Sequence, residues 1–368
     1  MHRVQLAYTL ADARHTDRAM HHPLLALLAA VHASGSISAA ARQLGLSYRH
    51  VWGELKRWEG EFGQPLVVWA KGQPAALAPF GEKLLWSERR ALARLAPQIE
   101  ALRSELERAF AIAFDDSAGV VTLFASFDEA LPRLRDRVGP KLHLDLEFTG
   151  SVDALAALND GRCLLAGFHA LTAAPMRSPT ARTYRSMLQP GRHKLIGFAR
   201  RAQGLITATG NPLALASLPD LARAGLRFAN GPAGSGPRVV LEELMSMAKL
   251  APESIQGFER CERSHQAAAE AVASGSADAA FGTLPAALAK GLHFVPLAQE
   301  EYFLVTTAAH LAHPHVASLL DALRSAEWRK ALDAIPGHAA ERCGEVLSLR
   351  QVLPWWNYRK PKRAVTTG

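Results

Sequence analysis

Cysteine is scarce in this chain: Cys163, Cys261 and Cys343 are the only three in 368 residues, and no two share a Cys-x-x-Cys spacing. Neither a disulfide framework nor a zinc knuckle is built that way, so all three are expected as buried small hydrophobes. Long apolar runs are missing too. Although 49% of the residues are hydrophobic, no uncharged run approaches the ~20 that cross a bilayer, and Met1 to Pro23 carries His, Arg and Asp where a signal peptide would be apolar. No membrane partner and a cytoplasmic location are expected. There is no Gly-x-Ser-x-Gly elbow, and "GPAGSGPR" lacks the Gly-Lys-Ser/Thr of a phosphate-binding loop. In "HLAHPH", Pro314 breaks the helix that would align His310 with His313, so a solvated turn is expected and no metal site. No catalytic residue and no cofactor is assigned. His169 and His265 are the best general-base candidates for the alternative, an enzyme processing a small anionic substrate, and neither has an evident partner.

What is present is length and a divided charge. A chain of this size exceeds what one core usually serves, which favours two or more domains. The net charge of +8 sits at the ends: residues 1–110 hold fourteen Lys and Arg against ten Asp and Glu, residues 111–349 hold twenty-three against twenty-four, and residues 350–368 hold five against none. A polyanionic partner for the N-terminal part follows.

In "SISAAARQLGLSYRHVWGELKRWE", Ser36 is a helix N-cap, Gly45 suits the left-handed end of that helix, and Ser47 caps a second one. Tyr48, Val51, Leu55, Trp58 and Phe62 recur at spacings of 3, 4, 3 and 4, an apolar stripe opposite Arg49, His50, Gly53, Lys56 and Arg57. With an upstream apolar helix (Leu24, Leu25, Leu28, Val31), this reads as a helix-turn-helix whose second helix enters the major groove. A helical hairpin with a solvated charged face is the plain alternative. Two extended runs, Leu66 to Trp69 and Ala75 to Leu77, flank Lys71-Gly72 as a wing, and Val4 to Thr9 alternates as an edge strand would. From Gly81 to Phe110, Leu85, Leu92, Leu95, Ile99, Leu102 and Leu106 fall at a/d spacing, a seam for a homodimer and hence a two-fold related site on double-stranded DNA. Packing within its own chain is the alternative for that helix, and Pro97 is expected to kink or end it.

After Val120, short apolar strands alternate with Ala- and Leu-rich helices, which implies parallel sheets with sites at the strands' carboxyl ends. Gly150-Ser151 and Gly234-Ser235-Gly236 each precede a helix, where unsatisfied N–H groups favour an anion, although each could be no more than a cap. The C-terminal "LPWWNYRKPKRAVTTG" places Trp355, Trp356 and Tyr358 against a lobe and leaves a basic tail.

"HPLLALLAAVHASGSISAAARQLGLSYRHVWGELKRWE", with "PLV" and "APFGEKLL" after it, resembles the winged helix-turn-helix of ModE-type regulators, a branch close to the LysR-type regulators. The resemblance implies DNA contacts from Ser36, Ser38, Ser47, Tyr48, Arg49, His50, Lys56 and, on the wing, Lys71. Arg49 is the candidate for bidentate guanine readout, with a phosphate contact as the alternative. "AGFH", "GNP", "GSG.R" and "ASG.ADA..G" within residues 120–310 resemble the periplasmic-binding-protein-like domain of molybdate-type regulators. That implies two α/β lobes around a ligand cleft, with contacts from Ser126, Ser151, His169, Ser235, Gly236, Arg238 and Thr283. The family commonly has a further Arg and His in the cleft, so formate joins molybdate and tungstate as an expected effector. The expected organisation is an α/β chain with a winged helix-turn-helix at 1–80, a linker and dimerisation helix at 81–113, a two-lobed effector domain at 114–349 and a basic tail at 350–368. It reads as a transcriptional regulator of molybdenum-enzyme or formate dehydrogenase genes, homodimeric and open to forming a tetramer.

Overall fold

The computed structural model describes residues 22–69, 74–114, 119–138, 142–171 and 174–356. The chain divides into two compact units, Met1–Ala93 and Arg94–Gly368. Lys71, the Val4–Thr9 strand and the tail from 357 lie outside the described residues.

In the first unit, α1 (Pro23–Ser34), α2 (Ile37–Gln43) and α3 (Tyr48–Phe62) are followed by the paired short strands β1 (Val67–Val68) and β2 (Ala76–Leu77). Local chemistry sets every boundary. Ser36 accepts from Ala39 N and Ser47 from His50 N, while Gly35, Gly45 and Gly63 take positive φ at the helix ends. Leu24, Leu28, Val31, Ile37, Ala40, Val51 and Leu55 close one core with Leu66, Leu77 and Leu85. Glu59 joins the hairpin to α3, its Oε1 accepting from Leu66 N at 2.9 Å and Val67 N at 3.3 Å. Tyr48 leaves the expected stripe: it is 51% exposed, because the first turn of α3 projects past the core.

Helix α4 (Pro79–Phe114) runs through Pro97 without ending. Tertiary contacts override the missing N–H. Arg94 is clamped to Glu262, Arg135 Nη1 lies 2.5 Å from Glu100, and Ser104 Oγ accepts from Leu146 N at 2.8 Å. The expected seam is narrower than its spacing: Leu85 belongs to the first unit's core, while Leu95 and Leu102 are exposed.

The second unit is built on a mixed sheet. In chain order its elements are β3 (Gly119–Ala125), α5 (Ala130–Arg135), β4 (Leu142–Phe148), α6 (Ser151–Asn159), β5 (Leu165–Ala170), α7 (Pro179–Tyr184), β6 (His193–Thr207), β7 (Phe228–Ala229), α8 (Gly236–Ala248), α9 (His265–Ala273), β8 (Ala279–Thr283), α10 (Leu284–Leu288), β9 (His293–Thr307), α11 (Pro314–Arg324), α12 (Ala326–Asp333), β10 (His338–Ala339), β11 (Val346–Ser348) and α13 (Leu349–Val352). The order across the sheet is β4-β3-β5-β9-β6-β8-β7. Parallel pairing holds for β3 with β4 and β5, and for β7 with β8. The all-parallel expectation fails at β6 and β9, which pair antiparallel from His193↔Thr307 to Thr207↔His293 and are shared by both lobes. The α/β class stands.

Trp355 is fully buried among Phe168 and Tyr184, its Nε1 donating to Ala174 O at 3.2 Å, as expected of a docking residue. Cys163 and Cys343 are buried, but Cys261 is exposed because it follows a turn at the sheet's edge.

Candidate nucleic-acid interface and ligand cleft

At the start of α3, Ser47, Tyr48, Arg49 and His50 are exposed together, with Ser38 exposed and Ser36 half-buried at the start of α2. Arg49 has no ion-pair partner among the described residues. Lys56 differs: its ammonium lies 2.6 Å from Glu59 and stands over the rings of Trp52 and Trp69. Arg57 is likewise tied to Glu54 at 2.6 Å. Thus, among the described arginine and lysine side chains of α3, the one without an ion pair, Arg49, lies on the first turn, where the helix's own N–H groups favour a phosphate.

The second unit holds a cleft of about 330 Å³ at the carboxyl ends of β3 and β4. Three helix starts reach it: Gly150 and Asp153 of α6, Ser235 and Pro237 of α8, and Ser264 and His265 of α9. Ser126, Phe127, Thr149, Glu262 and Arg263 complete much of the wall. The two glycine turns abut, Val152 N donating to Gly234 O at 3.3 Å, so their helix starts converge on one side. Burial, followed by the nearby Arg201 charge, drops the His265 imidazole to about 3, which keeps it neutral at cellular pH.

Of the seven expected effector contacts, Ser126 and Ser235 line the cleft. Ser151, His169 and Gly236 instead meet one another: a Cβ on Gly236 would stand 2.2 Å from His169 Cδ2 and 3.0 Å from Ser151 Oγ. Glycine there lets α8 close onto its neighbours. Arg238 is engaged by Glu242 at 2.7 Å, by Glu259 at 3.0 Å and by the Phe258 ring at 3.9 Å, so its charge is already matched. Thr283 is buried on β8 opposite Gln203. The exposed cation on the cleft wall is Arg263, with no carboxylate partner among the described residues. Sequence reasoning missed it, although its place just before the Ser264 cap follows the same logic that singled out the other two helix starts.

A buried ionic cluster organises the unit. Arg201 on β6 donates to Asp128, to Glu300 on β9 and, at 2.8 Å, to His169 Nδ1. His338 Nε2 lies 3.2 Å from Asp128, and Gln203 donates to Glu300 at 2.8 Å. Burial works to raise both carboxyls. His338 and Arg201 outweigh it at Asp128, and Arg201 and His169 at Glu300, so both are held below the usual range. Burial, then Arg201, lowers His169. A buried arginine between two carboxylates holds strands together; it is not open to a ligand.

Residues 133–324 match the family model of the PBP superfamily domain, and residues 23–82 match that of the bacterial regulatory helix-turn-helix protein, lysR family. The uncharacterized protein YvgK of Bacillus subtilis (strain 168) is 29% identical over 201 residues, 55% of this chain and 64% of that protein. An uncharacterized protein from the ferredoxin 2Fe-2S gene 5' region of Clostridium pasteurianum is 31% identical over 111 residues, 30% of this chain and 98% of that one. The molybdenum-pterin-binding protein MopB of Rhodobacter capsulatus is 45% identical over 65 residues, 17% of this chain and 24% of MopB. The chain therefore spans just under two thirds of YvgK and about a quarter of MopB. With residues 133–324 matched by its domain model, the chain belongs to the PBP superfamily, and it carries a lysR-family helix-turn-helix at residues 23–82.

Proposed function

We propose that this chain is a LysR-type transcriptional regulator that reads a two-fold related duplex site as a homodimer, and that the cleft of its second unit senses a small anion, either a molybdate-like oxyanion or formate. The observation carrying the sensing half is the convergence of three helix starts and Arg263 on one cleft, beside a neutral His265 that adds no negative charge. Unsatisfied N–H groups and the helix dipoles there favour an anion. Ser126, Ser235, Ser264 and Arg263 are its contacts, while Ser151, His169, Gly236, Arg238 and Thr283 shape the wall behind them. Molybdenum in the name of MopB favours the oxyanion. For the DNA half, Ser36, Ser38, Ser47, Tyr48, Arg49 and His50 face the duplex, and Lys56 braces the aromatic base of the wing. Exposed Leu95 and Leu102, one heptad apart on α4, support the dimer seam. We place the domain boundaries near 80 and 113, and the site of action wherever its DNA lies.

Melting the purified protein with molybdate, tungstate, sulfate, formate or nitrate tests the sensing half. A ligand of the folded state at a hundred times its Kd adds about 2.7 kcal/mol. One anion should raise the melting temperature; if none does, the anion reading falls. Selecting duplexes from a randomised pool should enrich an inverted repeat, and no enrichment would remove the DNA half.

A further inference from the structure

Helix α4 contributes to the cleft wall. Pro97 and Gln98 line it alongside residues from the two lobes. One turn earlier, Arg94 makes a forked pair with Glu262, Nε to Oε2 at 2.8 Å and Nη2 to Oε1 at 2.7 Å. The two partners are anchored unequally. Glu262 has a side chain only 3% exposed, its backbone N–H donates to Asn230 O at 2.7 Å, and it precedes Arg263 and Ser264 on the wall. Arg94 is 55% exposed. The carboxylate is fixed, and the arginine can leave it.

We infer that Arg94 and Glu262 form a ligand-linked latch, through which occupancy of the cleft by an anion is felt by the linker helix; this rests on the anion reading of the cleft. Glu262 is a buried acid on the wall of a site meant for negative charge. Unpaired, it repels an incoming anion; matched by the Arg94 fork, it is neutralised. The docked helix therefore binds the anion better than a released helix does, and by reciprocity the anion favours docking. Gln98 adds a polar contact from the same face. In the amide orientation that satisfies both of its groups, Nε2 donates to the carbonyls of Arg94 at 2.8 Å and Leu95 at 3.2 Å, holding the helix together beside Pro97, which has no N–H to offer.

The test uses full-length protein, with molybdate, tungstate, sulfate and formate as probes, and two readouts: anion-induced melting shifts and hydrogen exchange of amides 94–104. In the wild type, the effective anion should slow that exchange. Arg94→Ala should weaken anion binding at least tenfold. Glu262→Gln should bind within about threefold of wild type but lose the anion-dependent slowing, and adding it to Arg94→Ala should recover most of the lost affinity. Gln98→Ala, at an exposed position, should weaken binding and speed the ligand-free exchange of amides 94–104 while the chain stays folded, and it serves if Arg94→Ala fails to fold. If Arg94→Ala and Gln98→Ala both respond to the anion as wild type does, the latch is overturned while the sensing cleft stands. If no anion shifts the wild type, the cleft reading itself is wrong and the latch goes with it.

Discussion

Arg49 of the helix-turn-helix and Arg201 of the PBP-like domain are both arginines on regular elements, yet their surroundings are opposite. Arg49 stands exposed on the first turn of α3 without an ion-pair partner among the described residues. Arg201 is 1% exposed and shared by Asp128, Glu300 and His169. The first charge is unmatched among the described residues; the second is matched within the fold. Charge counts therefore mislead: the second unit is rich in arginine, but Arg135, Arg201 and Arg238 are buried against carboxylates, and its cleft presents Arg263.

The sharpest way to break that contrast is to remove both arginines. Arg201→Met leaves Asp128 and Glu300 buried without their shared cation, at a cost of about 3–5 kcal/mol. Urea unfolding of the second unit should shift by that much, and an unchanged midpoint would mean the cluster holds nothing. Arg49→Ala should leave unfolding within about 0.5 kcal/mol of wild type. Its effect belongs in DNA binding, a loss of about 1–3 kcal/mol by fluorescence anisotropy on the selected duplex. Unaltered affinity would take Arg49 off the reading face.

The same contrast explains what could be read from the sequence. Caps at Ser36 and Ser47 and the turn at Gly45 act over three or four residues, so α2 and α3 are legible directly. The ionic cluster draws on positions 128, 169, 201, 300 and 338, and no short pattern joins them. His169 is an example: its motif singles it out as a candidate contact, while only the fold reveals that its Nδ1 meets Arg201 at 2.8 Å. Similarly, β6 and β9 read as ordinary apolar strands, and only their pairing reveals that they run through both lobes. Pro97 signals a helix end by local rules, but contacts made by Arg94, Glu100 and Ser104 with distant residues carry the helix past it.

A smaller effect separates the two units by pH. In the second unit, burial and then Arg201 drop His265 to about 3, while burial and then Arg192 drop His193 to about 4, against 6.5 for the free side chain. Between those values the unfolded chain binds protons that the folded one refuses, so stability rises with pH through this window and is lost as pH falls below about 6.5. Asp128 and Glu300, held below the usual carboxylate range, act in the same direction at lower pH. Each excluded proton changes stability by about 1.4 kcal/mol per pH unit, which makes the His265 share about 2 kcal/mol between pH 6.5 and pH 5. His265→Gln should flatten the urea midpoint of the second unit by that amount over the interval, with the DNA-binding unit's midpoint unmoved. An equally steep profile in the variant would mean that His265 is protonated in the folded cleft, adding a positive charge beside Arg263 that would tighten the proposed anion's binding toward acid pH.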